Sequence, residues 1–177
     1  MSRVLFILLV FCSSLVGCVK STDSGLAAAK AQALIDDKII SDYLAANPGL
    51  NAKRVDAATG DTSGVYYIIK QAGTGTSLFT NSTQVTVADT GRLLTSKQIF
   101  TETNDFHPSY ILSQVIRGWQ LGIPLCQKGG IIRLLIPSRY AYGPNAQPNI
   151  GSAFGLIGGL PANAVLDFDI QLYDVTN

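Results

Sequence analysis

Few side chains in this sequence could carry out nucleophilic, acid–base or metal chemistry. The chain has one histidine, His107, and three cysteines, Cys12, Cys18 and Cys126. His107 and Cys126 alone are too little to indicate a Cys/His catalyst, and the sequence places no second metal ligand near His107. We therefore expect no metal and no cofactor.

The charges exclude another class of function. The sequence has 13 Lys and Arg residues and 12 Asp and Glu residues, and it contains no extended run of basic residues. Nucleic-acid binding depends on clustered cations that neutralise phosphates. We predict no nucleic-acid partner. The length of 177 residues allows one ordinary domain and an additional N-terminal part.

The first 24 residues predict export and membrane attachment. Residues 2–17 combine one positive charge, an apolar run and small residues, as in a secretory signal. The tetrapeptide at 15–18, LVGC, resembles the bacterial lipobox, which implies cleavage after residue 17 and a lipid on Cys18. We expect a lipoprotein signal at 1–17, a tether at 18–24 and a place in the bacterial cell envelope. The alternative is a plain cleaved signal.

Three segments of the C-terminal half carry the main functional signal. They read VIRGWQLG from residue 115, GGIIRLLIPSRYAYG from residue 129 and LPANAVLDFDIQLYD from residue 160. Together, and in this order, they resemble the catalytic domain of the FKBP-type peptidyl-prolyl cis/trans isomerases. The resemblance extends more loosely to about Ser63, so we expect the isomerase domain at 63–177.

The resemblance implies a fold and a pocket. The fold is α+β, a twisted antiparallel β-sheet half-wrapped around a short α-helix, and the pocket lies between that helix and the inner sheet face. Its partners would be unfolded or extended polypeptides that contain proline. The positions that correspond to the catalytic residues of the family are Phe100, Trp119, Tyr142, Phe168 and Asp89, and those that correspond to peptide-binding residues are Thr101, Val115, Ile116 and Leu160.

Two of these positions depart from the family pattern. Asp89, in VTVADTG, stands where the family has a tyrosine, and Thr101 replaces an aspartate. Strand alternation places Asp89 on the same face as Val85 and Val87, which points it inward. We hypothesise that Asp89 and Thr101 hydrogen-bond to each other, because an inward carboxylate without partners is costly. The alternative is a bulge that turns Asp89 to solvent.

An insertion is the third departure. Residues 144–159, PNAQPNIGSAFGLIGG, separate the AYG segment from Leu160 and combine four glycines with Phe154, Leu156 and Ile157. The insertion borders the cleft in the family. Two interpretations stay open: a flap that holds unfolded chains, or a loop folded over its own pocket.

The remaining elements must position this site. Helix propensity predicts a helix over 26–46, within an N-terminal extension and connector at 25–62, with a stripe that includes Leu34, Ile35, Ile39, Tyr43 and Leu44. The helix either packs on its own domain or forms a homodimer. Ser113 is predicted to cap a helix over 114–121. Strands are predicted at 65–70, 84–94, 130–137 and 166–173.

Three functions are compatible with these features. The first is an isomerase of Xaa-Pro bonds that uses no cofactor. The second is a non-catalytic chaperone or peptide-binding lipoprotein that keeps the cleft but has lost turnover through Asp89 and Thr101. The third is a structural subunit of an envelope complex, which no feature of the sequence specifically favours.

Overall fold

The computed structural model describes residues 20–56 and 62–177. The predicted signal at 1–17, including Cys12, and the predicted lipidation site at Cys18 lie outside these residues. Among the described residues, no helix has the length and apolar character needed to cross a membrane.

The domain is built on one antiparallel sheet. Within the described residues seven strands form it in the spatial order β1-β2-β6-β7-β3-β4, and β5 pairs with the edge of β3. The strands are β1 (Lys53–Asp56), β2 (Thr62–Gln71), β3 (Gln84–Leu93), β4 (Ile99–Glu102), β5 (Ser109–Ile111), β6 (Ile131–Ile136) and β7 (Leu166–Thr176).

The central strands follow the alternation of the sequence. In β7, Leu166, Phe168, Ile170 and Leu172 are all buried, as expected for one face of a strand that packs on a core. This strand pairs along its length with β3 and, over residues 131–136, with β6. The fold class predicted from the sequence is confirmed, with a short helix against the inner face of the sheet.

The short inner helix, α2, covers Arg117–Gly122 and follows a 3-10 turn at Leu112–Gln114. Gly118 and Gly122 face β6, and a Cβ atom built on either would stand 2.4–2.5 Å from Ile136 or Leu134. Only glycine allows this close approach of helix and sheet. The short helix predicted over 114–121 is present but starts at Arg117, and the predicted cap by Ser113 is wrong, because Ser113 belongs to the preceding 3-10 turn.

The long N-terminal helix, α1, covers Lys20–Ala46 and is followed by a 3-10 turn at Pro48–Leu50. It therefore starts six residues before the predicted start, and residues 20–24, expected to form a tether, are helical. The predicted end is correct, because Pro48 cannot continue the helix. Shorter 3-10 turns occupy Ile123–Leu125, Ser138–Tyr140 and Ser152–Phe154.

Helix α1 packs on the outer face of its own sheet. Ile40 is fully buried there in a small apolar cluster with Leu94, Leu135 and Val165. The predicted stripe is partly wrong, since Leu34 and Ile35 are 73% and 52% exposed. The side of α1 that packs on the sheet is the neighbouring stripe. It consists of Asp36, Ile40 and Tyr43, which lie four and three residues apart.

Polar contacts complete this outer layer. The buried Asp36 carboxylate accepts hydrogen bonds from the Ser138 backbone N–H (2.8 Å) and hydroxyl (2.6 Å). On the sheet, Arg133 donates to both oxygens of the buried Asp167 carboxylate at 2.8 Å and to the Tyr43 hydroxyl at 2.8 Å. The hydrogen bonds to Asp167 raise the pKa of Arg133. Each buried charge in this layer has a partner.

Candidate functional site: an aromatic cleft between helix and sheet

A cleft of about 410 Å³ opens between α2 and the inner face of the sheet. Four aromatic rings of its lining contact one another edge to face. Phe168 of β7 contacts Phe100 of β4 at 5.4 Å between ring centroids and Trp119 of α2 at 5.2 Å, and Trp119 contacts Tyr110 at 5.9 Å. This arrangement is the preferred one for aromatic pairs, because the positive edge of one ring meets the negative face of the next.

Most of the predicted site residues meet in this cleft. Its lining includes Asp89, Phe100, Thr101, Val115, Ile116, Trp119, Tyr142 and Phe168. Val115 and Ile116 lie in the extended segment just before α2, so their side chains and backbone border the cleft while α2 holds Trp119 at its base. Tyr142 comes from the segment after the 3-10 turn at Ser138–Tyr140.

Leu160 does not line the cleft, which corrects the prediction. It is fully buried in the main core. The reason is a short antiparallel bridge in which Leu160 and Gln147 exchange two backbone hydrogen bonds of 2.8 and 3.0 Å. This bridge draws the end of the insertion inward, so Leu160 supports the site from below.

Three lining residues were missed in the sequence. They are Tyr110, Gln114 and Ile150. Tyr110 belongs to the short strand β5, which pairs with β3 through Val85. An aromatic residue five positions before Val115, between two motifs of the resemblance, was the available signal. Ile150 had none, since its place depends on the path of the insertion.

Asp89 is buried, with 6% of its surface exposed, and it lines the cleft. The inward orientation predicted by strand alternation is therefore confirmed. Within the described residues, Asp89 forms hydrogen bonds through its backbone: its N–H donates to the Thr103 hydroxyl at 2.8 Å, and its carbonyl accepts from the Thr103 N–H at 3.0 Å. Burial raises the pKa of the Asp89 carboxyl to about 6.

The hypothesised bond between Asp89 and Thr101 is wrong. In the register of β3 and β4, Gly91 lies opposite Thr101 and Thr90 lies opposite Glu102. Thr103, rather than Thr101, is therefore the neighbour of Asp89. Diagonal neighbours on antiparallel strands are about 7–8 Å apart, too far for two short side chains to meet. Among the described residues no donor reaches the Asp89 carboxylate.

Two tyrosine hydroxyls share the field of this carboxylate. Burial raises the pKa of Tyr110 and of Tyr142, and the negative charge of Asp89 raises both further. Neither hydroxyl has a hydrogen-bond partner within the described part of the chain, so both are available to a carbonyl oxygen of a bound peptide. The cleft thus combines an apolar floor with the polar groups of Asp89, Tyr110 and Tyr142, beside the polar side chains of Thr101 and Gln114.

The insertion at 144–159 borders the cleft without filling it. Ile150 contributes to the lining, and Leu156 is buried in the main core. Ile157 is 99% exposed and Phe154 is partly exposed, so the tip of the loop faces solvent. The insertion therefore does not fill the cleft and does not stand away from the domain. Leu156 packs in the main core, while Ile157 at the tip faces solvent.

The other reactive residues are placed as structural parts. Cys126 is buried, which raises the pKa of its thiol. Cys126 is therefore a small packed residue of the core. His107 stacks on Tyr173 with 3.9 Å between the ring centroids. In the described residues, no group of three His, Cys, Asp or Glu side chains could hold a metal ion.

Fold and cleft define a class: a small α+β domain with an aromatic-walled groove between a short helix and an antiparallel sheet. The sequence profile described as FKBP-type peptidyl-prolyl cis-trans isomerase matches residues 75–173, more than half of the chain. The chain belongs to this family of enzymes.

Similar proteins agree with the family. An FKBP-type peptidyl-prolyl cis-trans isomerase FkpA from Buchnera aphidicola (Schizaphis graminum) is 35% identical over 117 residues, which are 66% of this chain and 42% of that protein. FkpA from Escherichia coli K12 is 34% identical over 125 residues, 70% of this chain and 42% of that protein. The chain thus spans less than half the length of these relatives.

Two solved structures share the fold. The crystal structure of FkpA from Escherichia coli has a TM-score of 0.60 at 26% identity, and the alignment covers 99% of this chain and 72% of that one. A peptidyl-prolyl cis-trans isomerase from Pseudomonas syringae pv. tomato has a TM-score of 0.63 at 25% identity, with 91% of this chain and all of that one covered.

Proposed function

We propose that this protein catalyses the cis/trans isomerisation of Xaa-Pro peptide bonds in extended or unfolded polypeptides. The observation that carries the proposal is the cleft, in which Trp119, Phe168, Phe100 and Tyr142 stand together as the family resemblance implies. The proline ring would lie on Trp119, and the Tyr142 hydroxyl would donate to a carbonyl of the peptide.

Such a cleft needs no nucleophile and no proton transfer. Rotation about a peptide bond meets a barrier of about 18–20 kcal/mol, because resonance gives the C–N bond double-bond character. Water stabilises the charge-separated planar amide more than the twisted one. An apolar wall therefore favours the twisted form, and catalysis follows from binding that form better than the ground state.

The test is an isomerisation assay on short Xaa-Pro peptides, using the full chain in mild detergent. We expect a rate above the uncatalysed exchange, which takes tens of seconds or longer. Tyr142→Phe removes a hydroxyl that has no structural partner, so we expect about a tenfold loss of kcat/KM, or about 1.4 kcal/mol. Tyr173→Phe, far from the cleft, is the matched control. Background rates with every peptide would refute the proposal.

The competing candidate is a peptide-binding chaperone without turnover. The observation that favours it is Asp89, a buried charge in a cleft that otherwise suits apolar ligands. Retained binding of unfolded protein together with an uncatalysed isomerisation rate would support this candidate. A catalysed rate that Asp89→Tyr increases would instead show an active enzyme whose turnover Asp89 limits.

We also propose that the protein is a lipoprotein of the bacterial cell envelope, held to a membrane through Cys18 after removal of residues 1–17. The support is the sequence LVGC at 15–18 and the apolar run before it. Mass spectrometry of the protein from a membrane fraction is expected to find acyl chains on Cys18. Recovery of the unacylated chain in the soluble fraction would contradict this.

A homodimer through the N-terminal helix is the remaining proposal about partners. Its support is the row of exposed apolar residues on α1, which includes Leu26, Leu34 and Ile35. Against it, the opposite side of α1 is already occupied by the protein's own sheet. Sedimentation of the wild type and of Leu34→Lys with Ile35→Lys tests the proposal, since a dimer built on this row would dissociate.

A further inference from the structure

Among the described residues that line the cleft, Asp89 is the one with a charged side chain. The residue has 6% of its surface exposed, its carboxylate accepts no hydrogen bond from the described residues, and its backbone is bonded to Thr103. Leaving an ionised group buried without a partner costs several kcal/mol in proteins. A folded protein retains such a group more readily when a ligand supplies the partner.

Among the described residues, the surroundings of Asp89 contain no cation that could act as this partner. From β5 and the segment after β6 it is faced by the hydroxyls of Tyr110 and Tyr142, and from β7 and α2 by Phe168 and Trp119. The nearest arginine on β3, Arg92, is bound to Asp169 with a distance of 3.0 Å. Both residues belong to the outer face.

We propose that Asp89 is a specificity-determining residue that binds a positively charged substrate side chain, lysine or arginine, next to the proline. The proposal rests on the proposed isomerase function. It assigns to this chain a preference for basic Xaa-Pro sequences.

Size and chemistry of the cleft fit such a substrate. A volume of about 410 Å³ lies in the range of sites that enclose a small organic ligand, so a proline and one flanking side chain fit together. Lysine and arginine can lay an apolar stem along aromatic rings while the charged end reaches a carboxylate. The faces and edges of Tyr110 and Trp119 offer the apolar path, and Asp89 offers the anion at its end.

Protonation does not remove this anion at neutral pH. Burial raises the pKa of Asp89 to about 6, so at pH 7 and above the ionised form dominates. A bound cation stabilises the ionised form further and lowers that pKa again. The acidic residues Glu102 and Asp169 line a second groove, which Asp89 also borders, and they do not line the aromatic cleft.

The experiment compares three peptides of equal length whose residue before proline is lysine, norleucine or glutamate. Values of kcat/KM are measured at pH 7.5 on the full chain, and binding is followed by the fluorescence of Trp119, the single tryptophan of the chain. We expect the lysine peptide to exceed norleucine by about tenfold, as one charge-assisted hydrogen bond allows. The glutamate peptide should be the poorest.

Asp89→Asn keeps the shape and removes the charge, so the lysine-to-norleucine ratio should fall to about one. Glu102→Gln removes a charge from the neighbouring strand at the second groove. It should leave the ratio unchanged, which separates direct contact from the general field of the protein. Thermal unfolding of both variants checks that they fold.

Two results would overturn the proposal: a wild-type ratio near one, or a ratio that survives in Asp89→Asn. Failure of the isomerase function gives a different result, because no peptide is then accelerated. In that case the fluorescence titration still reports the preference. Tight binding of the lysine peptide, lost in Asp89→Asn, would support the role of Asp89 without turnover.

Discussion

The two faces of the sheet differ in whether the carboxylates of their buried acidic residues have hydrogen-bond donors. On the outer face, Asp36 accepts two hydrogen bonds from Ser138, and Asp167 is held by two from Arg133. On the inner face, Asp89 is buried to a similar degree with no donor for its carboxylate in the described part of the chain. Both faces belong to the same strands, so the contrast lies in what covers them.

The contrast separates structural acids from an acid kept for binding. A buried charge with matched donors stabilises one arrangement of helix and sheet, and its removal leaves the donors unsatisfied. A buried charge without donors lowers stability as it stands. We expect the two kinds to respond with opposite signs when they are neutralised, and stability measurements can test this directly.

The largest effect is expected for Arg133→Met. The variant leaves Asp167, with 1% of its side chain exposed, without its cation. Removing one member of a buried pair is strongly destabilising, and we expect a loss of about 3–5 kcal/mol in the free energy of unfolding. Urea denaturation at pH 7.5 measures it.

The double variant Arg133→Met with Asp167→Val is its control. Replacing both members by apolar residues removes the uncompensated charge, so most of the lost stability should return. If the double variant is as unstable as the single one, packing rather than charge holds this part of the outer layer, and the contrast between the faces is weaker than argued.

Asp89→Asn is expected to act in the opposite direction, with a gain of about 2 kcal/mol at pH 7.5. In the unfolded chain the carboxyl ionises near pH 3.8, and in the folded protein near pH 6. Between these values the unfolded chain loses the proton first, so wild-type stability falls as the pH rises. The difference in pKa corresponds to about 3 kcal/mol, and the partner-less amide offsets part of it.

The pH dependence distinguishes this cause from others. Near pH 4, Asp89 carries its proton in the folded state, and the unfolded chain is close to its own pKa of 3.8 and about half protonated, so most of the gain from Asp89→Asn should vanish. Urea denaturation of both proteins between pH 4 and 8 measures the difference. A gain that stays constant over this range would mean that ionisation of Asp89 is not its source.

The sequence was sufficient for the residues whose environment is local. Trp119, Tyr142 and Phe168 each lie within a continuous motif, and their strand or helix positions follow from the residues beside them. The inward direction of Asp89 followed from simple alternation with Val85 and Val87. In each case the backbone period decides the face.

Relations between distant segments could not be predicted in the same way. The partner of Asp89 depends on the register of β3 and β4, and a difference of two residues exchanged Thr101 for Thr103. On α1 two neighbouring stripes were available, and the sheet selected the one with Ile40 instead of Ile35. The burial of Asp36 could not be predicted, because its partner, Ser138, is 102 residues away in the sequence.

The smallest of the three effects concerns that same residue. Asp36→Ala leaves the Ser138 N–H and hydroxyl without their acceptor in a buried position, which costs about 1–2 kcal/mol after the better helix propensity of alanine is included. Lys38→Ala, two residues along the same helix, breaks only an exposed pair with Asp42, in which the side chains are 74% and 64% exposed. It should change stability by less than about 0.5 kcal/mol. Equal effects of the two variants in urea denaturation would show that α1 is held by its apolar side alone. The hydrogen bonds of Asp36 to Ser138 would then not stabilise the outer layer.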